Sequence, residues 1–165
     1  MRELSLNVLD IAQNSIAAGA SLTEILVKIN TAESTLLIGI YDNGKGMSEE
    51  DAKICFLRHA TSKIKSAYDL ASINTLGFRG EALASIASVS DVILKTSNGI
   101  TGTLVEIHGG KVISIENADL RRGTSMTVKN LFYNTPARLK YLKSDTSELS
   151  YVSDIIYKLA LAHPN

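Results

Sequence analysis

From Asp91 to Asn130 the chain holds a single period: "DVILKT", "GTLVEIH", "KVISIEN" and "TSMTVKN" follow one another across the breaks "SNG", "GG" and "RRG". Side chains of a strand alternate between two faces, and glycine- and asparagine-rich breaks reverse the chain, so this stretch predicts four strands in succession. Two more lie upstream. "SLTEILVKIN" alternates Ile25, Val27 and Ile29, and "STLLIGIY" is a continuous apolar run that predicts a buried central strand ending at Asp42. Helical spacing marks the rest. Leu4, Val8, Ile11, Ala12 and Ser15 share one face of the opening stretch, with Gly19 suited to its C-terminus. A helix is predicted from the Ser48 cap of "SEEDAKICFLR", another over "EALASIAS" entering from Gly80, and a third over "PARLKYL" with Pro136 first. The last, "SELSYVSDIIYKLALA", sets Leu149, Val152, Ile156 and Leu159 on one face. Helices and strands are partly segregated along the chain, which predicts an α+β two-layer sandwich and not a doubly wound parallel sheet.

At 165 residues the chain is expected to be one domain, 1–165, large enough for one ordinary core. Its 17 basic and 17 acidic side chains balance, and the absence of clustered Lys and Arg argues against a nucleic-acid footprint. The single Cys55 cannot form an internal disulfide, as expected of a reducing, cytoplasmic setting, and its place in "DAKICFLR" predicts a buried bystander thiol. The opening "MRELSLNVLDIAQN" carries polar residues throughout and is neither a signal peptide nor a membrane span.

Four stretches carry chemistry. Asp10 and Asn14, four apart on a helix, share a face and can orient a water or ligate a hard cation; an ordinary solvated helix face would look the same. "DNGKGM" reads as a hairpin turn by its Asn-Gly alone. However, it follows a buried strand and precedes a helix. An aspartate at a strand's carboxyl end can accept an exocyclic amine, and glycines let backbone lie against a flat ring. An EF-hand is excluded, since Met47 takes the place that loop reserves for glycine. "RHATSKI" offers Thr61, Ser62 and Lys63 as phosphate donors or as a solvated loop, and His59 beside them reads more readily as structural. In "TLGFRGEALASIAS", Gly77 and Gly80 permit close backbone approach at a helix start, Arg79 adds positive charge, and Glu81 suits the first turn. Neither a P-loop nor a Rossmann fingerprint is present.

Taken in order, "NSIAAGA", "DNGKGM", "RHATSKI", "LGFRGEALASIASVS" and "LFYNTPARLKYL" resemble the successive signatures of the MutL family of mismatch-repair ATPases. That family sits in the larger group containing DNA gyrase, heat-shock chaperones and histidine kinases. The likeness runs from about residue 10 to the end; "GFRGEALASI" and "NTPAR" are specific to MutL, whereas "DNGKGM" is shared by the whole group. It implies a Bergerat-type α/β sandwich, a mixed sheet with helices on one face, holding ATP and Mg²⁺ beneath a lid at about 43–80. Carried over by motif, Asn14 resembles the Mg²⁺ ligand, with Ala18 on the same helix at the nucleotide. Asp42 resembles the adenine reader with Thr124 beside it, and Gly44 and Gly46 the ring-side turn. Thr61, Ser62 and Lys63 resemble lid contacts to ribose and phosphate. Gly77, Phe78, Arg79, Gly80 and Glu81 resemble the phosphate loop, with Phe78 as its apolar anchor.

Three departures bear on activity. The family's general base is a glutamate four residues before the magnesium asparagine; here that position is Asp10, one methylene shorter. A base displaced by about 1 Å costs on the order of a hundredfold in rate. Only nine residues precede Asp10, so the family's partner-clasping arm is not expected, nor is homodimerisation through it. The chain stops at "ALAHPN", before the second subdomain that supplies a γ-phosphate lysine and much of the DNA surface. Direct DNA binding is therefore expected to be weak or absent, with mismatch-repair proteins as partners by resemblance. The first fifty or so residues are closer to histidine-kinase-like ATP-binding proteins, as in a divergent stand-alone homologue, a chimera or a truncated chain. The expected function is Mg-ATP binding in a MutL-like protein with slow or impaired hydrolysis. The alternatives are a kinase-like regulatory module and a folded fragment with a vestigial pocket.

Overall fold

The structure, a computed structural model, describes residues 3–30, 35–57 and 81–163. Six strands form one sheet: β1 (Thr23–Asn30), β2 (Thr35–Asp42), β3 (Asp91–Ser97), β4 (Gly102–His108), β5 (Lys111–Asn117) and β6 (Gly123–Lys129). They lie in the order β1-β2-β6-β3-β4-β5. The two-layer α+β class holds, but the sheet is not mixed: all five pairings are antiparallel. The cause is where the chain is delivered. β5 ends at Asn117 beside Thr103, and Ser97 pairs with Gly123, so the short link over 118–122 starts β6 at the end where β2 and β3 finish. Running back from there, β6 opposes both neighbours.

Those registers arrange the side chains of one sheet face in three ranks from edge to edge. Two are apolar: Val27, Ile38, Val128, Val92, Ile107 and Val112, then Ile25, Ile40, Met126, Leu94, Val105 and Ile115. The third is polar from edge to edge: Thr23, Asp42, Thr124, Thr96, Thr103 and Asn117. Helices cover the apolar ranks except at the β5 edge, where Val112 and Ile115 are exposed. α1 (Glu3–Ala17) buries Leu4, Val8, Ile11 and Ala12 against them, as its spacing predicts. Burying one such aliphatic side chain contributes about 1.5–3 kcal/mol. α1 stops in a Schellman turn: Gly19 has φ +69°, its N–H donates to the Ile16 carbonyl, and the Ala20 N–H donates to the Ser15 carbonyl. The opposite face of the sheet is lined by strand residues such as Leu26, Leu37, Tyr41, Ile93 and Lys95.

α2 (Glu49–Ile54) starts at the Ser48 cap, whose Oγ accepts the Asp51 N–H at 3.1 Å. It is shorter than the run "SEEDAKICFLR" suggests. Cys55 follows it, and burial pushes that thiol up to about 12. Iodoacetamide at pH 8 is therefore expected to label Cys55 slowly in the native protein and rapidly in denaturant. Cys55 is partly buried, not fully as its sequence context predicts, and equal rates would contradict even that shielding.

The carbonyl end of α3 (Ala82–Ser88) is held from outside the helix. Ser90 Oγ donates to the Ile86 carbonyl, Asn134 Nδ2 to that of Ser88, and the Phe132 N–H to that of Val89. Phe132 is fully buried at φ +68° with the Arg138 guanidinium 4.5 Å above its ring, so the "LFYN" turn is held at both ends. α4 (Pro136–Lys140) opens on proline as predicted, and α5 (Asp145–Ala162) packs along α1. On α5 the predicted face holds at Val152, Ile156 and Leu159 and fails at Leu149. Leu149 is 48% exposed and Glu148 only 3%, because Glu148 Oε1 accepts the Lys143 N–H at 2.9 Å, drawing that side chain inward with Val152 and Ile156. Among the described residues no helix is long and apolar enough to cross a membrane.

Candidate functional site

The polar rank meets the C-terminal end of α1, and there the chemistry gathers. Asp42, the last residue of β2, has both carboxylate oxygens occupied: Oδ2 accepts from Ser15 Oγ at 2.8 Å and Oδ1 from the Gly44 N–H at 2.9 Å. A carboxylate oxygen has two lone-pair directions, so each keeps one for a further donor. The side chain is thus a fixed acceptor at the edge of the core. Asp42 stands beside Thr124 in the ladder, and Thr124 beside Thr96.

"DNGKGM" is not a hairpin. It is a turn pinned between α1 and β3. At Gly44 a Cβ would lie 2.8 Å from the Ala18 Cβ, and the next N–H, of Lys45, donates to the Ala18 carbonyl at 3.0 Å. Gly46 has φ +67°, and a Cβ there would lie 1.8 Å from the Ser97 carbonyl oxygen, so only glycine fits. The Met47 N–H then donates to Thr96 Oγ1 at 3.0 Å.

Of the residues singled out in the sequence, Ala18, Asp42 and Gly44 meet here by direct contact, with Gly46 two residues on against Ser97 and Thr124 adjacent to Asp42 in register. Asn14 lies one turn before Ala18 on α1, and Asp10 one turn before that. Asp10 is half-buried, and loss of solvent pushes its carboxyl above the ordinary value. Glu81 is exposed at the start of α3, its carbonyl accepting the Ser85 N–H. Thr61, Ser62, Lys63, Gly77, Phe78, Arg79 and Gly80 lie outside the described residues, as does most of the proposed lid. Two residues went unread in the sequence. The helical spacing marks Ser15 only as a core-facing position, yet its hydroxyl holds Asp42. Thr96 is a fully buried polar residue in phase with Val92 and Leu94, and that inward polar position was the available signal.

Among the described residues no group of three or more His, Cys, Asp or Glu could hold a metal ion. Asn14 offers one amide oxygen, which suits an ion shared with a phosphate ligand and waters better than one caged by protein.

Residues 3–131 match the family described as histidine kinase-, DNA gyrase B-, and HSP90-like ATPase. The chain belongs to that family. Within it, the sequence is 53% identical over 160 residues to the DNA mismatch repair protein MutL of Listeria innocua, covering 96% of this chain and 26% of that protein. The chain thus spans about a quarter of the length of the curated relatives it matches. The aligned share leaves out only a few residues, so it takes in most of the opening fifty and the likeness to MutL is not confined to the later motifs. Among solved structures, the Aquifex aeolicus MutL ATPase domain complexed with ADP superposes with a TM-score of 0.70 at 27% identity, covering 95% of this chain and 54% of that one. The N-terminal domain of a DNA repair protein gives 0.72 at 28%, covering 91% and 42%. Members of the family therefore carry the fold described here, with an ATPase named in both the family description and the first of these structures.

Proposed function

We propose that this chain is the ATP-binding domain of a MutL-like mismatch-repair protein, taking Mg-ATP and hydrolysing it slowly. The observation that carries this is Asp42: a strand-end carboxylate held by Ser15 and Gly44 with acceptor capacity to spare, next to the Thr124 hydroxyl. Adenine presents an amine donor beside a ring-nitrogen acceptor, which complements a carboxylate beside a hydroxyl. The glycine turn gives the base a flat backbone wall. Asn14, farther along α1, would hold Mg²⁺, which when bound neutralises phosphate charge. Thr61, Ser62, Lys63 and the stretch from Gly77 to Glu81 are assigned to the phosphates on their motif resemblance alone. MutL-like partners, and any contact of the whole protein with DNA, belong to the same proposal.

Calorimetry with ATP and ADP in the presence of Mg²⁺ tests it. Binding is expected, and a folded sample that binds neither at millimolar concentration would overturn the assignment.

Asp10 is proposed as the base that receives a proton from the attacking water. Its raised pKa brings it nearer the working pH, where a general base is most effective, but its short reach sets it back from the reacting atoms. Asp10→Glu is expected to raise phosphate release, and Asp10→Asn to abolish it with nucleotide binding intact. Stability adds a second readout. A carboxyl whose folded pKa is raised favours the fold below its unfolded value of about 4, and that contribution is lost as pH rises through the raised folded value. At neutral pH Asp10→Asn should therefore melt higher than wild type, with the gain vanishing below the ordinary carboxylate range. Unchanged melting at pH 7 would show that the carboxylate costs nothing where it sits.

A further inference from the structure

Thr96 is fully buried beneath the site, and no ligand could reach it, yet its hydroxyl is the most heavily shared polar group in the polar rank. The Oγ1 atom accepts the Met47 N–H at 3.0 Å, lies 3.2 Å from the Gly123 carbonyl oxygen, and lies 3.1 Å from Thr124 Oγ1. A hydroxyl has one hydrogen and two lone pairs. With one lone pair taken by Met47, two arrangements remain. In the first, Thr96 gives its hydrogen to the Gly123 carbonyl and accepts from Thr124, so Thr124 presents only lone pairs to the site. In the second, Thr96 donates to Thr124 Oγ1, and the Thr124 hydrogen is released to donate outward. The two arrangements give the site opposite hydrogen-bonding polarity at one atom, and the fold permits both.

We propose that Thr96 is a positioning residue for the base of the nucleotide: it donates to Thr124 Oγ1, so that Thr124 donates in turn to the ring nitrogen N1 of adenine, directly or through one water. The inference rests on the assignment of Asp42 and Thr124 to the base. It also links the glycine turn to the base, since the hydroxyl that sets the Thr124 hydrogen is the one that anchors Met47. The relay runs Met47 N–H to Thr96, Thr96 to Thr124, Thr124 to ligand, and every member donates once. Asp42 completes the edge as acceptor for the exocyclic amine.

The test is a cycle between a protein hydroxyl and a ligand atom. Affinities for ATP and for 1-deaza-ATP, in which N1 is a C–H, are measured by calorimetry with wild type, Thr96→Val and Thr96→Ser. Wild type should lose about tenfold on removal of N1, the worth of one hydrogen bond. Thr96→Val leaves the Thr124 hydroxyl free to turn among its staggered positions, so ATP should bind about threefold more weakly and the N1 preference should fall to about threefold. Thr96→Ser, which keeps the hydroxyl, should restore the wild-type preference. If Thr96→Val weakens both ligands in equal ratio, its role is packing alone and the proposal is overturned. Equal affinity of wild type for the two ligands overturns it without any variant, as does loss of the preference in Thr96→Ser. Failure of wild type to bind ATP at all would instead remove the nucleotide assignment, a result that reads differently from each of these.

Discussion

Gly46→Ala should cost the protein about 3 kcal/mol or more of stability, a larger loss than any other single methyl group added at this site. Two penalties coincide there. The backbone sits at φ +67°, where an L side chain is strained by about 1–2 kcal/mol. The added carbon would also lie 1.8 Å from the Ser97 carbonyl oxygen, which belongs to β3 and cannot rotate away without breaking its ladder. Gly19→Ala separates the two effects. Gly19 has nearly the same φ, +69°, with nothing within 4 Å of the would-be Cβ, so it should show the conformational cost alone, about 1 kcal/mol. Urea melts of both variants give the difference. For a chain of this size 3 kcal/mol lowers the melting temperature by roughly 6–12 °C. Equal losses in the two variants would mean that the turn is not pressed against β3.

Asp42→Asn should lower affinity for ATP and ADP by about thirtyfold or more while leaving the fold intact, on the worth of hydrogen bonds to a charged group. The carboxylate takes a donor on each oxygen, Ser15 Oγ and the Gly44 N–H. Asparagine keeps one oxygen. If that oxygen stays with Gly44, its amide faces Ser15, whose hydroxyl can turn to accept. If it turns to Ser15, the amide opposes a backbone N–H. Either way, one of the two acceptor positions has become a donor, and a purine amine meets a donor or a neutral oxygen in place of a charged one. Calorimetry reads the affinity and a thermal melt reads the fold. Unchanged affinity would remove Asp42 from the base-binding role.

Much of the architecture could be read from local pattern, because the pattern follows burial directly. Each strand of the "DVILKT" to "TSMTVKN" run stands where its alternation places it, and α1 buries the residues its spacing names. Parallel or antiparallel pairing was not legible, since it depends on which end of the sheet a five-residue link reaches. The α5 face was misread at Leu149 for a related reason. Hydrophobicity chose between adjacent positions, whereas the hydrogen bond from Lys143 N–H to Glu148 chose in the molecule. At the site, Asp42 and the glycines announce themselves as residue types out of place after an apolar strand. Ser15 and Thr96 do not. A small hydroxyl at a core-facing position looks like filler until the register shows what lies across from it.

The six-residue polar rank gives the sheet a division of labour. The two apolar ranks behind it close the core against α1 without using any atom of Asp42, Thr124 or Thr96, so most of the cohesive energy is stored away from the place where a ligand would be read. At the partly exposed Asp42 and Thr124 a lineage could therefore retune what this rim prefers, one side chain at a time, whereas the buried Thr96 and Thr103 are held to small hydroxyls by the fold. Each exchange would be judged by recognition far more than by survival of the scaffold.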